Sequence, residues 1–216
     1  MNFKIINMNE YKRKDHFEYF SQMAYPYVGI TVNVDITGWL AIVKEKELPF
    51  FHSFLYVITR AANSIKEFRQ RITAEGGIIE FEKCLSSYTT ALADETYCYC
   101  QVDADKPYRE FLSHAKAEQK KALDAENLDD GDEILQLFFI SSLPWISYTS
   151  LVQPVPAPAD SNPRITWGRY FTQNHRVWIP VSLLCHHALV DGIHLARFFE
   201  KLENFLAEFV DDFSEL

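Results

Sequence analysis

Val177-Trp178-Ile179-Pro180-Val181-Ser182-Leu183-Leu184-Cys185 is an apolar, strand-like run that ends in His186-His187-Ala188-Leu189-Val190-Asp191-Gly192. Beyond it Leu195, Phe198, Phe199, Leu202, Phe205, Leu206 and Phe209 recur at three- and four-residue intervals, one face of an amphipathic helix. Strand, turn and helix therefore follow one another, with histidine where the backbone leaves the packed layer and a side chain can reach a substrate. An imidazole titrates near pH ~6.5, so it can take a proton from a hydroxyl at neutral pH. Asp191 follows the second histidine by four residues, and Gly192 permits a tight turn before the helix. The pattern suggests a positioned general base. Two other readings fit the same residues. One is a satisfied core imidazole with an aspartate capping the helix. The other is a metal site drawn from His186, His187, Asp191 and His194. Adjacent side chains on a strand point to opposite faces, and a zinc site needs three or four converging ligands, so no metal is expected.

The chain has 216 residues, 48% of them hydrophobic and 15% aromatic, enough for a packed core and most simply one large domain. No apolar run reaches the length that spans a bilayer, and Met1-Asn2-Phe3-Lys4 lacks a secretory pattern. The net charge of −9 argues against general affinity for nucleic acid or an anionic membrane surface. Cys84, Cys98, Cys100 and Cys185 show no zinc-like spacing and no disulfide framework. Buried free thiols in a reducing, cytoplasmic setting are expected.

Residues 11–24 read as a short helix, and Thr31 to Thr37 alternates as a half-buried strand. Leu48 to Ala62 suits a buried helix, followed by strands at Gly77–Phe81, Ser86–Leu92 and Thr96–Val102. A charged amphipathic helix from Pro107 to Asn127 and a solvated acidic loop from Asp124 to Glu133 come next, then a strand at Leu135–Ser141. Val152 to Arg164, with four prolines, reads as a surface loop. Ile165–Gln173 and Arg176–Cys185 form a hairpin around Asn174-His175. Helices and strands interleave without a strict βαβ rhythm, which predicts a mixed sheet covered by helices. Pro180 is in tension with its strand, since proline favours edges, strand starts or bulges.

Two further motifs accompany the histidine run: Arg13-Lys14-Asp15-His16-Phe17 near the N-terminus and Ser141-Ser142-Leu143-Pro144-Trp145 at a strand end. With all three in this order, the chain resembles the trimeric, acetyl-CoA-dependent chloramphenicol acetyltransferases from about Met1 to Leu206. The resemblance implies a single acetyltransferase domain over residues 1–216, folded as a two-layer α/β (α+β) sandwich with a mixed sheet covered by helices. It implies that His187 is the catalytic base, acting on the acceptor hydroxyl directly with no acyl-enzyme. Ser141 becomes the oxyanion donor, and Thr166 holds a water near the same oxygen. Asp191 and Arg13 become a largely buried structural pair that holds the loop bearing the histidine. Acetyl-CoA enters as co-substrate, beside Trp145 and Tyr170, with Arg169 near phosphate. By position Tyr19, Phe20, Val28, Tyr97 and Gln153 build the acceptor pocket of a homotrimer whose sites lie between subunits. Family members that bind chloramphenicol tend to have Phe at the positions of Val28 and Tyr97, and an apolar residue at that of Gln153. A polar Gln153 side chain needs a hydrogen-bond partner if buried, which points to a more polar acceptor. Three readings follow: acetylation of chloramphenicol, conferring antibiotic resistance; the same chemistry on another hydroxylated small molecule; or a catalytically idle ligand-binding trimer.

Overall fold

The computed structural model describes residues 2–129, 131 and 133–214, with the backbone alone at Ser214. Met1, Asp130, Asp132, Glu215 and Leu216, on which the acidic loop, the resemblance from Met1 and the 1–216 domain partly fall, lie outside the described residues. In chain order the strands are β1 (Phe3–Ile5), β2 (Tyr27–Asp35), β3 (Gln70–Ile72), β4 (Ile78–Phe81), β5 (Leu85–Ala91), β6 (Tyr97–Val102), β7 (Leu137–Leu143), β8 (Arg164–Gly168), β9 (Phe171–Gln173) and β10 (Arg176–His186). The helices are α1 (Lys14–Phe20), α2 (Thr37–Glu45), α3 (Phe50–Ser64), α4 (Tyr108–Ala125) and α5 (Gly192–Ser214). Six strands lie in the order β2-β10-β8-β7-β5-β6, and β9 pairs with the start of β10. β7 runs parallel to both β5 and β8, and the remaining pairs are antiparallel, so the sheet is mixed. A second sheet, β1-β4-β3, is small and antiparallel.

Strand alternation divides the large sheet into two unlike faces. Val34, Ile179, Val181, Leu183, Ile165, Trp167, Ile140 and Tyr88 face the helices and join Trp39, Phe54, Ile58, Phe111, Phe198 and Leu202 in one hydrophobic cluster. The opposite face carries the intervening residues, and its central register row is Thr31, Ser182, Thr166 and Ser141. Hydroxyls there cannot drive burial, so that face is left for the connection between β7 and β8. Tyr148 of that connection donates its hydroxyl to the Thr166 carbonyl at 2.9 Å, and Asn162 Nδ2 donates to the Leu137 carbonyl at 2.8 Å. Ser161, Asn162 and Pro163 are buried, which corrects the expectation of a plain surface loop: its end is part of the sheet's cover.

Other departures have local causes. The strand expected to reach Thr37 stops at Asp35, whose carboxylate accepts from the Thr37 amide at 2.9 Å and so starts α2, a helix not foreseen. β1 and β3 are three residues each, too short to show alternation. The acidic segment after α4 begins at Glu126, in the left-handed region at φ 49°, so Asp124 and Ala125 are helical. Asn174 and His175 have φ of 50° and 62°, the paired positive values of a tight hairpin turn between β9 and β10. Pro180 sits opposite Asn33 of β2, but on its other side the β9 pairing ends at Trp178 and the β8 pairing starts at Val181. The proline falls in the gap between two partner strands, where no ladder bond is called for.

Candidate active site

The histidine turn is built by backbone bonds at the end of β10. His187 N–H donates to the Pro26 carbonyl at 2.7 Å, prolonging the β2–β10 ladder by one residue. The chain then folds back, with Leu189 and Val190 amides both donating to the His186 carbonyl. That fold-back brings the Val190 carbonyl to 2.8 Å from His187 Nδ1. The ring lies on Phe20 of α1, centroids 3.8 Å apart and planes within 21° of parallel. Phe20 in turn meets Tyr19 edge-on at 5.1 Å, and Tyr19 is exposed. The imidazole is thus clamped on its face and at Nδ1, while Nε2 has no partner among the described residues.

Arg13 reaches this turn from the residue before α1. Its Nη1 is 3.2 Å from Asp191 Oδ2, and its Nη2 donates to the His187 carbonyl at 3.2 Å. Asp191 Oδ1 accepts from the Gly192 amide at 2.7 Å, opening α5. The Gly192 amide and then Arg13 hold the Asp191 carboxyl below the usual carboxylate range. The pair is less buried than expected: the Asp191 side chain is 42% exposed in the single chain, so solvent screens it. His186, by contrast, is buried beside the Tyr27 ring and accepts from the Ala188 amide at 3.3 Å. Burial pushes its imidazole down to about 4.

Ser141 and Thr166 stand elsewhere, side by side in register on the open face of the sheet. The Ser141 hydroxyl has no partner among the described residues, and Thr166 Oγ1 donates to Gln153 Oε1 at 3.3 Å. Both line a cavity of about 640 Å³ between that face and the Pro-rich connection, together with Tyr97, Gln153, Asp160 and Arg164. Asp160 and Arg164 form a two-point ion pair at 2.7 and 2.8 Å, and the Tyr27 hydroxyl donates to Asp160 at 3.0 Å. Burial, then Asp160, raises the Tyr27 phenol. Sequence reasoning missed this trio, although the four-residue spacing of Asp160 and Arg164 within a polar stretch was a signal for a local ion pair. Val28 packs against the core beside Cys185 and does not line the cavity.

Trp145, Arg169 and Tyr170 gather at the far end of the sheet, where β7 and β8 finish. The Arg169 amide donates to the Ile146 carbonyl at 2.8 Å, Trp145 is exposed, and Tyr170 stacks obliquely on Phe50 with Lys44 above its ring. The sequence-predicted residues therefore fall into two groups within one chain. His187 stands five residues beyond Ser182, which shares the register row of Thr166 and Ser141. At about 3.3 Å per residue that is roughly 17 Å along the sheet. Among the described residues no group of three His, Cys, Asp or Glu side chains is placed to hold a metal ion, and no helix is long and apolar enough to cross a membrane. All four cysteines are free and buried.

Comparison with known proteins bears on this arrangement. The family model described as chloramphenicol acetyltransferase matches residues 1–203. A chloramphenicol acetyltransferase from Klebsiella sp is 31% identical over 207 residues, covering 94% of this chain and 93% of its own length. One from Clostridium perfringens is 28% identical over 212 residues, with 97% of each chain covered. A solved chloramphenicol acetyltransferase structure superposes with a TM-score of 0.84 at 26% identity, covering 95% of this chain and all of that one. The cubic core of a pyruvate dehydrogenase multienzyme complex shares the fold at 19% identity, TM-score 0.66.

Proposed function

The chain belongs to the chloramphenicol acetyltransferase family, and from that premise we propose that it moves acetyl from acetyl-CoA to a hydroxyl of chloramphenicol, with His187 as general base. One observation carries the reading: the 2.8 Å contact between His187 Nδ1 and the Val190 carbonyl oxygen. A carbonyl only accepts, so Nδ1 holds the proton and the basic lone pair lies on Nε2, the nitrogen left without a partner. Nε2 takes the hydroxyl proton of the acceptor as its oxygen bonds to the thioester carbon, and the carbonyl electron pair moves onto oxygen. Collapse restores the carbonyl and breaks the carbon–sulfur bond, and the imidazolium returns its proton to the departing thiolate. Acetyl passes in one displacement with no acyl-enzyme.

The remaining roles follow from placement. Ser141, with an uncommitted hydroxyl at the cavity wall, donates to the oxyanion; one such donor is worth about 100- to 1000-fold in rate. Thr166 supports the same oxygen through water when its hydroxyl turns from Gln153. Arg13 and Asp191 fix the turn. Trp145 and Tyr170 flank the coenzyme arm, and Arg169 lies near its phosphates. Base and oxyanion donor must meet within hydrogen-bond reach of one reacting centre, yet in one chain they stand roughly 17 Å apart along the sheet. That separation supports a homotrimer in which His187, with Tyr19 and Phe20, faces the cavity of a neighbouring copy. Residues 1–216 act as one domain in this reading, and the four free cysteines suit work in the cytoplasm.

A second acceptor class has one observation in its favour. Ser87, Thr89, Tyr97, Tyr99 and Gln153 add polar groups to a cavity wall otherwise formed largely by Ile134, Phe139, Ile140, Leu143, Leu151 and Val152, which gives hydrogen-bond partners to a hydroxylated acceptor other than chloramphenicol. Thiol release from acetyl-CoA tests both. Release that depends on chloramphenicol and falls at least 1000-fold in His187→Ala is the expected result. Release driven only by another alcohol moves the substrate and keeps the chemistry. A His187→Ala protein as active as wild type removes the base.

A further inference from the structure

His194, in the first turn of α5, is buried and takes no part in the chemistry above. Its amide donates to the Asp191 carbonyl at 2.9 Å, and its Nδ1 accepts from the Asp191 amide at 2.9 Å. This is half of a capping box: the third helical residue reaches back to the backbone amide of the cap. The other half is absent, because the Asp191 carboxylate is engaged by Gly192 and Arg13. An accepting Nδ1 requires the neutral ring with its proton on Nε2, which lies 3.7 Å from Glu67 in the turn at Lys66–Arg69.

The amide held by His194 and the carbonyl held by His187 belong to the same peptide unit, Val190–Asp191. The run is His194 Nδ1, H–N of Asp191, C=O of Val190, H–Nδ1 of His187. A peptide is planar, so gripping its N–H sets the direction of its C=O. Polarisation of linked hydrogen bonds strengthens each. The two histidines are thereby held in opposite tautomers through one peptide. We propose that His194 is a positioning residue for acetyl transfer: it fixes the Val190–Asp191 plane, and through it the tautomer and aim of His187. This rests on the general-base reading of His187.

Protonation of His194 turns Nδ1 from acceptor to donor and breaks the chain of bonds. The charged groups facing it are Glu67, Arg13, Arg197 and Asp191, and burial holds the ring below its ordinary value. Activity therefore falls through a second protonation on the acid side, in addition to that of any general base.

The test compares His194→Gln with His194→Leu, using chloramphenicol and acetyl-CoA. Glutamine is the usual reach-back acceptor and does not titrate; leucine has similar bulk and no acceptor. His194→Leu is expected to lower kcat about 10- to 100-fold, the scale of a small misplacement, with KM for both substrates within about twofold. His194→Gln keeps kcat within about threefold, and its acid limb follows one proton where wild type follows two. Wild-type kcat in the leucine variant overturns the proposal, as does a glutamine variant that melts like wild type but is as slow as leucine. If the leucine variant does not fold, the glutamine pH profile decides: a two-proton limb overturns, a one-proton limb supports. His187→Ala separates the two claims. If it stays active, the base assignment fails; if it is dead while His194→Leu has full kcat, only the present inference fails.

Discussion

Adjacent in sequence, His186 and His187 meet opposite environments, and the difference is one of hydrogen bonding and burial. His187 keeps Nε2 open and gives Nδ1 to a carbonyl, whereas His186 uses Nδ1 to accept from Ala188 inside the fold. A ring that accepts at a buried site must stay neutral, and burial pushes His186 down to about 4. Its unfolded value is about 6.5. The sign follows from the direction: below the unfolded value the unfolded chain binds a proton that the folded chain refuses. Stability contributed by neutral His186 is thus complete above pH ~6.5 and is lost as pH falls towards about 4, a change of about 3 kcal/mol. Chemical denaturation at a series of pH values checks this. His186→Asn, which keeps an acceptor near the Nδ1 position, is expected to flatten that part of the curve by one proton; an unchanged slope in the variant assigns the acid loss to other groups.

At the level of elements, the site depends on how closely the β7–β8 connection lies on the sheet. Gly168 ends β8 where a Cβ would stand 2.8 Å from the Ile146 carbonyl and 2.9 Å from both Pro180 Cγ and Tyr148 Cε1. Backbone and a proline ring cannot yield as a flexible side chain does, so Gly168→Ala is expected to cost about 1–3 kcal/mol. It also shifts the segment that carries Trp145, so KM for acetyl-CoA rises more than KM for chloramphenicol. Calorimetry and steady-state kinetics read the two effects, and an alanine variant with wild-type Tm would show that the connection gives way freely. α3, α4 and β10, each a long apolar or amphipathic run, stand within two residues of their expected bounds, whereas β2 starts four residues early at Tyr27 and the expected strand Ile165–Gln173 is split into β8 and β9. α2 was hidden because Thr37 reads as the last residue of the strand and the helix start is set by the Asp35 side chain. The cover provided by Ser161–Pro163 was illegible because buried polar loops have no period; only tertiary hydrogen bonds such as Asn162 to Leu137 reveal them. The histidine turn pointed to His187 and the family resemblance to Arg13 with Asp191, but nothing pointed to the Val190 carbonyl or the His194 bond, since a backbone acceptor leaves no mark on residue type.

Over the whole molecule the decisive quantity is the distance between the two groups of site residues. β10 is paired to β2 on one side and β8 on the other, and a one-residue slip would turn its core residues outward, so His187 keeps its distance from Ser141. In the homotrimer proposed above, the histidine end of each chain faces the cavity of the next, and each site draws on two chains. Complementation tests this directly. His187→Ala chains retain Ser141 and the cavity, and Ser141→Ala chains retain the base; each homotrimer is expected to be nearly inactive. When the two are unfolded together and reassembled in equal amounts, a site is intact wherever a Ser141→Ala chain presents its histidine to a His187→Ala neighbour. Random assembly makes that about a quarter of all sites, so about a quarter of wild-type activity is expected to return. Mixing the folded homotrimers without dissociation restores nothing, which guards against contamination by wild type. If reassembled mixtures remain as inactive as their parents although sedimentation shows mixed trimers, both groups serve a site within one chain, and the connection over the sheet must move far enough to bring them together.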